Sequence, residues 1–103
     1  MLIDAANGDT ADTLSDIREF RLGNHADGSA FWVCNVDAAN VIHIEWSGSH
    51  AGVGAVNLTA KGDEIVIPAG DVTSVTVSAS AYPSTFGWAY LDPGMRIASG
   101  QKR

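Results

Sequence analysis

The feature that most constrains this chain is its rhythm. Short runs rich in Val, Ile, Thr and aromatic residues recur every 8 to 12 residues, broken by Gly, Asn, Asp and Pro, with no helical period between them. Parallel strands need a crossover of a dozen or more residues, usually a helix, and there is no room for one here. The spacing therefore predicts an all-β fold, an antiparallel β-sandwich or jelly roll of seven to eight short strands. Expected strands are Glu19 to Leu22, Ser29 to Val36, Val41 to Ser47, Ala55 to Thr59, Glu64 to Ile67, Thr73 to Ala79 and Phe86 to Leu91. The third is the best patterned, with Ile42, Ile44 and Trp46 on one side and His43 and Glu45 on the other. Val75 and Val77 alternate with Thr76 and Ser78 in the same way, and Phe86, Trp88 and Tyr90 share a face. The runs Ala55 to Thr59 and Glu64 to Ile67 read as a hairpin around Lys61-Gly62-Asp63. Gly48 to Gly54 reads as a mobile glycine-rich loop, and Pro68 stands where a strand must stop.

At 103 residues the chain makes a single domain, one that buries roughly 65% of its unfolded surface. Residues 1–18 are expected to be an arm or a short helix, 19–98 the sandwich and 99–103 a basic tail. Leu14, Ile17 and Phe20 recur every three residues, so a helix over Thr10 to Phe20, capped by Thr10 or Thr13, competes with an extended arm that orders on a partner. Met1-Leu-Ile runs straight into Asp4, so no secretory signal is expected, and Asn57-Leu58-Thr59 is then no glycosylation site.

Six Lys and Arg stand against 12 Asp and Glu, a net charge of -6, which argues against binding nucleic acid or an anionic membrane through phosphates. Hydrophobic residues make up 46% and charged ones 17%, so this is not a disordered acidic segment. The apolar runs are far too short for a membrane-spanning helix.

The lone cysteine, Cys34, sits in the apolar run Phe31-Trp32-Val33-Cys34 and reads as a buried thiol. His25, His43 and His50 have no spacing that places two metal ligands on one element. Asp4, Asn7, Asp9 and Asp12 lack the spacing and closing Glu of a calcium loop. Gly48-Ser49-His50 is not a nucleophile elbow, the glycine-rich loop lacks a phosphate-binding Lys, and His43 with Glu45 reads as a surface pair. No catalytic residue, cofactor or metal is implied, and the chain is not expected to be an enzyme.

Adjacent Phe31 and Trp32 must point to opposite faces, so one lies away from the core. A surplus aromatic fits either a subunit contact or a sugar-stacking platform. Between Leu22 and Met95 the only basic residue is Lys61, against seven acids, while Arg18, Arg21, Arg96, Lys102 and Arg103 sit near the ends. Basic ends on an acidic body suit docking to an acidic neighbour. Candidate partner contacts are Arg18, Arg21, Trp32 and Arg96.

The runs Phe31-Trp32-Val33-Cys34-Asn35-Val36, Val41-Ile42-His43-Ile44-Glu45-Trp46, Ile65-Val66-Ile67-Pro68-Ala69-Gly70 and Val72-Thr73-Ser74-Val75-Thr76-Val77, followed by the aromatic strand Phe86 to Tyr90, resemble small β-sandwich virion accessory proteins of tailed bacteriophages. The resemblance spans residues 19 to 92, in the style of head-decoration, head-spike and tail-accessory proteins. It implies a capsid-decorating structural protein, or one at a vertex or fibre base, made in the host cytoplasm and localised to the virion. Its implied partners are its own copies, as a trimer or pentamer, and the major capsid protein or another virion protein. Many copies on a lattice would gain avidity from modest contacts. The alternative is a small carbohydrate-binding module aiding host-surface adhesion, which requires an exposed aromatic pair.

Overall fold

A computed structural model of the chain describes residues 2–4, 11–22, 30–48, 52–68, 72–91 and 96–98. Among them there is no helix. The strands are β1 (Leu2–Asp4), β2 (Ala11–Leu14), β3 (Arg18–Arg21), β4 (Ala30–Asn35), β5 (Ile42–Gly48), β6 (Gly52–Leu58), β7 (Glu64–Pro68), β8 (Ser74–Ala79), β9 (Ser84–Leu91) and β10 (Arg96–Ala98). Eight of these form two four-stranded antiparallel sheets, ordered β2-β9-β4-β7 and β3-β8-β5-β6. β1 and β10 make a separate parallel pair.

The order has a simple logic. β5 pairs with β6, β4 with β7, β3 with β8 and β2 with β9, as in one long hairpin whose apex lies between β5 and β6. Rolling that hairpin brings β4 beside β9 and β5 beside β8. This rolled hairpin is the jelly-roll arrangement, one of the two expected from strand spacing.

Alternation decides what lies between the sheets. Ile42 and Ile44 of β5 and Val75 and Val77 of β8 are fully buried, while Glu45 is exposed. They meet Leu14, Phe31, Val33, Ile67 and Phe86 of the other sheet in one core. Burying side chains of this size contributes about 1.5–3 kcal/mol each. Phe20 packs on Phe31 and Trp88 at centroid distances of 5.0 and 4.8 Å, and Trp88 meets Tyr90 edge-on at 5.8 Å.

Four sequence expectations are corrected. No helix forms over the described part of Thr10 to Phe20, because residues 11–14 and 18–21 are strands in different sheets. Leu14 and Phe20 both point into the core from opposite sides, and Ile17 sits exposed at the corner between them. Their three-residue spacing thus records a corner. Accordingly, the sandwich begins at Ala11, inside the stretch expected as an arm, and Ala11 to Leu14 pairs with β9.

β6 and β7 do not pair with each other. The turn between them, with Gly62 at φ +98°, carries the chain from one sheet to the other. Much of the glycine-rich stretch is strand, since β5 runs through Gly48 and β6 starts at Gly52. Gly54 is required there: a Cβ on it would stand 2.2 Å from Trp46 Cζ2, so the indole lies against bare backbone.

The turn Asp37-Ala38-Ala39-Asn40 forms where expected. Asp37 accepts the N–H groups of Ala39 and Asn40, each at 2.8 Å, and of Thr85 at 3.0 Å. Those bonds, in that order, hold its carboxyl below the usual range. Buried Asn35 ties the same end together, donating to Asn40 O and Leu58 O and accepting from Asp37 N–H.

Candidate contact surfaces

The outward face of the β3-β8-β5-β6 sheet is built from the residues that alternate with the core. Register aligns Ser78, His43 and Asn57 in one row, Glu19, Thr76, Glu45 and Ala55 in the next, and Arg21, Ser74 and Ser47 in a third. Hydroxyl side chains (Ser47, Ser74, Thr76 and Ser78) run through the middle of these rows, with Glu19 and Arg21 along one side. Ser47 and Ser74 hydroxyls meet at 3.1 Å, and Arg21 reaches Glu19 at 3.3 Å. The result is a polar surface spread across four paired strands.

His43 holds a side-chain partner at each of its ring nitrogens on this face. Its Nδ1 meets Asn57 Oδ1 and its Nε2 lies 3.1 Å from Glu45 Oε1. An acceptor on each ring nitrogen favours the doubly protonated ring. The histidine pKa is therefore raised, first by Asn57 and then by Glu45, against a smaller effect of burial. His43 and Glu45, read from the sequence as a surface pair, do bond side by side, and Asn57, opposite His43 on the neighbouring strand β6, was not foreseen as the third member.

A second cluster closes the side of the sandwich at β2 and β3. Arg18 turns inward, donates to Asp12 Oδ2 at 3.0 Å, and lies 4.8 Å above the Phe20 ring and 5.5 Å from that of Trp88. The Trp88 indole N–H donates to the same Asp12 oxygen at 3.1 Å. Asp12 is held below the usual carboxylate range, first by Trp88, then by its bond from Thr13 N–H, with Arg18 adding less. Arg18, expected as a partner contact, is thus committed within the chain. Arg21 remains available, its side chain 81% exposed. Arg96 lies in β10, and its side chain is outside what is described.

Trp32 does point away from the main core, as adjacency to Phe31 requires. It is nevertheless fully buried, in a smaller cluster with Cys34 and Leu91. This corrects its expected role as a surface contact. Trp32 Nε1 and Glu64 Oε2 are both buried without a hydrogen bond. Burial raises the Glu64 pKa, and the neighbouring indole N–H only partly offsets that. Cys34 is buried as expected, its thiol pushed up to about 11 by burial first, then by the charges of Glu64 and Asp63.

His25, His50, Asn7, Asp9 and the tail 99–103 lie outside the described residues, and of Asp4 only the backbone is described. Among the described residues, no three His, Cys, Asp or Glu side chains are placed to hold a metal ion.

One element went unread in the sequence. β6 ends its sheet, with β5 as its sole partner among the described strands. A signal was available, because no Asp, Glu, Lys or Arg occurs from Trp46 through Ala60. Comparison with known proteins adds no relative: no family model, no curated protein and no solved structure matches this chain.

Proposed function

We propose that the chain is a non-enzymatic structural protein of a tailed-phage virion, one that decorates or stabilises the capsid, or a vertex or fibre base, as an oligomer. The observation that carries this reading is the polar outer face of the β3-β8-β5-β6 sheet, spread across four paired strands of the jelly roll. A broad polar face suits contact with another protein surface, since small-ligand sites are concave and mostly apolar. Jelly rolls recur in viral coats and in lectins, which is an argument from analogy and is weighed as such. The virion style of residues 19 to 92 adds to it.

The sugar-binding alternative loses its best residues. Trp32 is fully buried, Trp46 lies against Gly54, and Trp88 is packed between Phe20 and Tyr90 and bonded to Asp12. Trp46 and Trp88 are half-buried, and the exposed aromatics among the described residues are Tyr82 and Tyr90.

The test is binding to particles of the phage that encodes the chain, prepared without it. Wild-type protein should saturate them, and Thr76→Arg, at the centre of the face, should reduce occupancy at least about tenfold while leaving the circular dichroism spectrum unchanged. Arg21→Glu should weaken binding less and chiefly at low salt. No saturable binding by the wild type would overturn the function, and equal occupancy by Thr76→Arg would overturn the choice of face.

A further inference from the structure

We propose that the edge of β6, unpaired among the described residues, is a self-association site, at which a second copy of this chain adds its own β6 antiparallel across a two-fold axis. The other three edges of the two four-stranded sheets are guarded. An open edge invites another strand, and charges or proline on it prevent that. β2 carries Asp12, β3 carries Arg18, Glu19 and Arg21, and β7 carries Glu64 and ends at Pro68. β6 runs seven residues, Gly52–Leu58, with no charge and no proline. Its pairing to β5 is continuous from Leu58 to Gly52, so no bulge turns the edge away. Packing explains Gly54, which sits under Trp46. It does not explain Ala55, which is exposed and could carry a charge without disturbing the core.

The hydrogen-bond alternation shows which groups the edge offers. Leu22 N–H bonds Thr73 O and Ser80 N–H bonds Val41 O, so odd-numbered residues of β5 face β8 and even-numbered ones face β6. On β6 the residues opposite them, including Gly54 and Val56, bond back to β5. Val53, Ala55 and Asn57 therefore turn their main-chain N–H and C=O groups outward. A two-fold axis through Ala55 sets Ala55 against itself and Val53 against Asn57, three pairs that exchange about six hydrogen bonds. Small side chains meet at the centre, and each sheet face continues into its counterpart. Glu45 of each copy would be three strand spacings apart, about 14 Å, beyond the screening length at physiological salt. The product is a dimer with one continuous eight-stranded sheet, instead of the three- or five-fold symmetry that the virion resemblance implies. The inference stands independently of the proposed function.

Sedimentation equilibrium of the full chain from micromolar to millimolar concentration should show a reversible dimer. Ala55→Pro removes an N–H that no intramolecular bond uses, and should weaken association at least about tenfold. Ala55→Lys should do the same by charge, while Glu19→Lys, on the already charged β3 edge, should leave it unchanged. In the wild type, amide exchange at Ala55 should slow as concentration rises. A monomer throughout, or any oligomer indifferent to both Ala55 variants, overturns the proposal, as does an Ala55 amide whose exchange ignores concentration. Loss of particle binding with the dimer intact would sink the functional reading and leave this one standing.

Discussion

Gly54 and His43 show how much a single position carries. At Gly54 the indole of Trp46 occupies the space a side chain would need, at 2.2 Å from an added Cβ. Gly54→Val should therefore destabilise the fold by about 1–3 kcal/mol, because a well-packed core accepts extra methyl groups only by shifting. A lower urea midpoint with altered tryptophan fluorescence would register it, and an unchanged midpoint would mean that Trp46 packs elsewhere. At His43 the sign follows from linkage. Its folded pKa lies above the unfolded 6.5, so its bonds to Asn57 and Glu45 stabilise fully below that pH and fade as pH rises through the folded value. The stability gap between wild type and His43→Gln should be larger in mildly acid solution than in alkaline solution. A gap independent of pH would show that folding leaves the affinity of the ring for its second proton unchanged. Asp12 and Asp37 titrate in both proteins and cancel from the difference.

Elements were legible where alternation was clean and obscured where the chain turns a corner. β5 and β8 followed from period-two patterning, down to which residues face the core, and β9 as far as the face that its aromatics share. β2 and β3 did not, because Leu14 and Phe20 reach one core from different sheets and their spacing imitates a helix. The Arg18–Asp12–Trp88 cluster was equally unreadable: its members lie 6 and 76 positions apart, and only the folded topology brings them together. That cluster makes Arg18 a structural residue. Arg18→Ala should cost about 1 kcal/mol, combining a half-exposed ion pair with stacking on two rings. Arg21→Ala should fall within about 0.5 kcal/mol of wild type, as expected of an exposed surface position. Chemical denaturation separates the two, and equal effects would deny Arg18 its inward role.

For the whole molecule, spacing and composition sufficed for an all-β sandwich. They could not assign β6 to β5 and β7 to β4, since the notion of a β6–β7 hairpin is locally just as good. The rolled arrangement wins because it lets β4 and β5 each pair on both sides and bury Phe31, Val33, Ile42 and Ile44 completely. Once rolled, the molecule has two sides with different uses. The sheet of β2, β9, β4 and β7 buries even its outward Trp32, whereas the sheet of β3, β8, β5 and β6 presents a polar face and, among the described residues, an edge without charge or proline. A body of this kind suits repeated attachment to a lattice, where avidity multiplies weak contacts. The decisive measurement for the proposed function is the copy number of the chain on gradient-purified particles of a tailed phage, the source that the proposal assigns to it, by quantitative mass spectrometry against the major capsid protein. The account predicts a fixed ratio to that protein, reproducible between preparations. Absence from purified particles, or a ratio that falls with each round of purification, would contradict it.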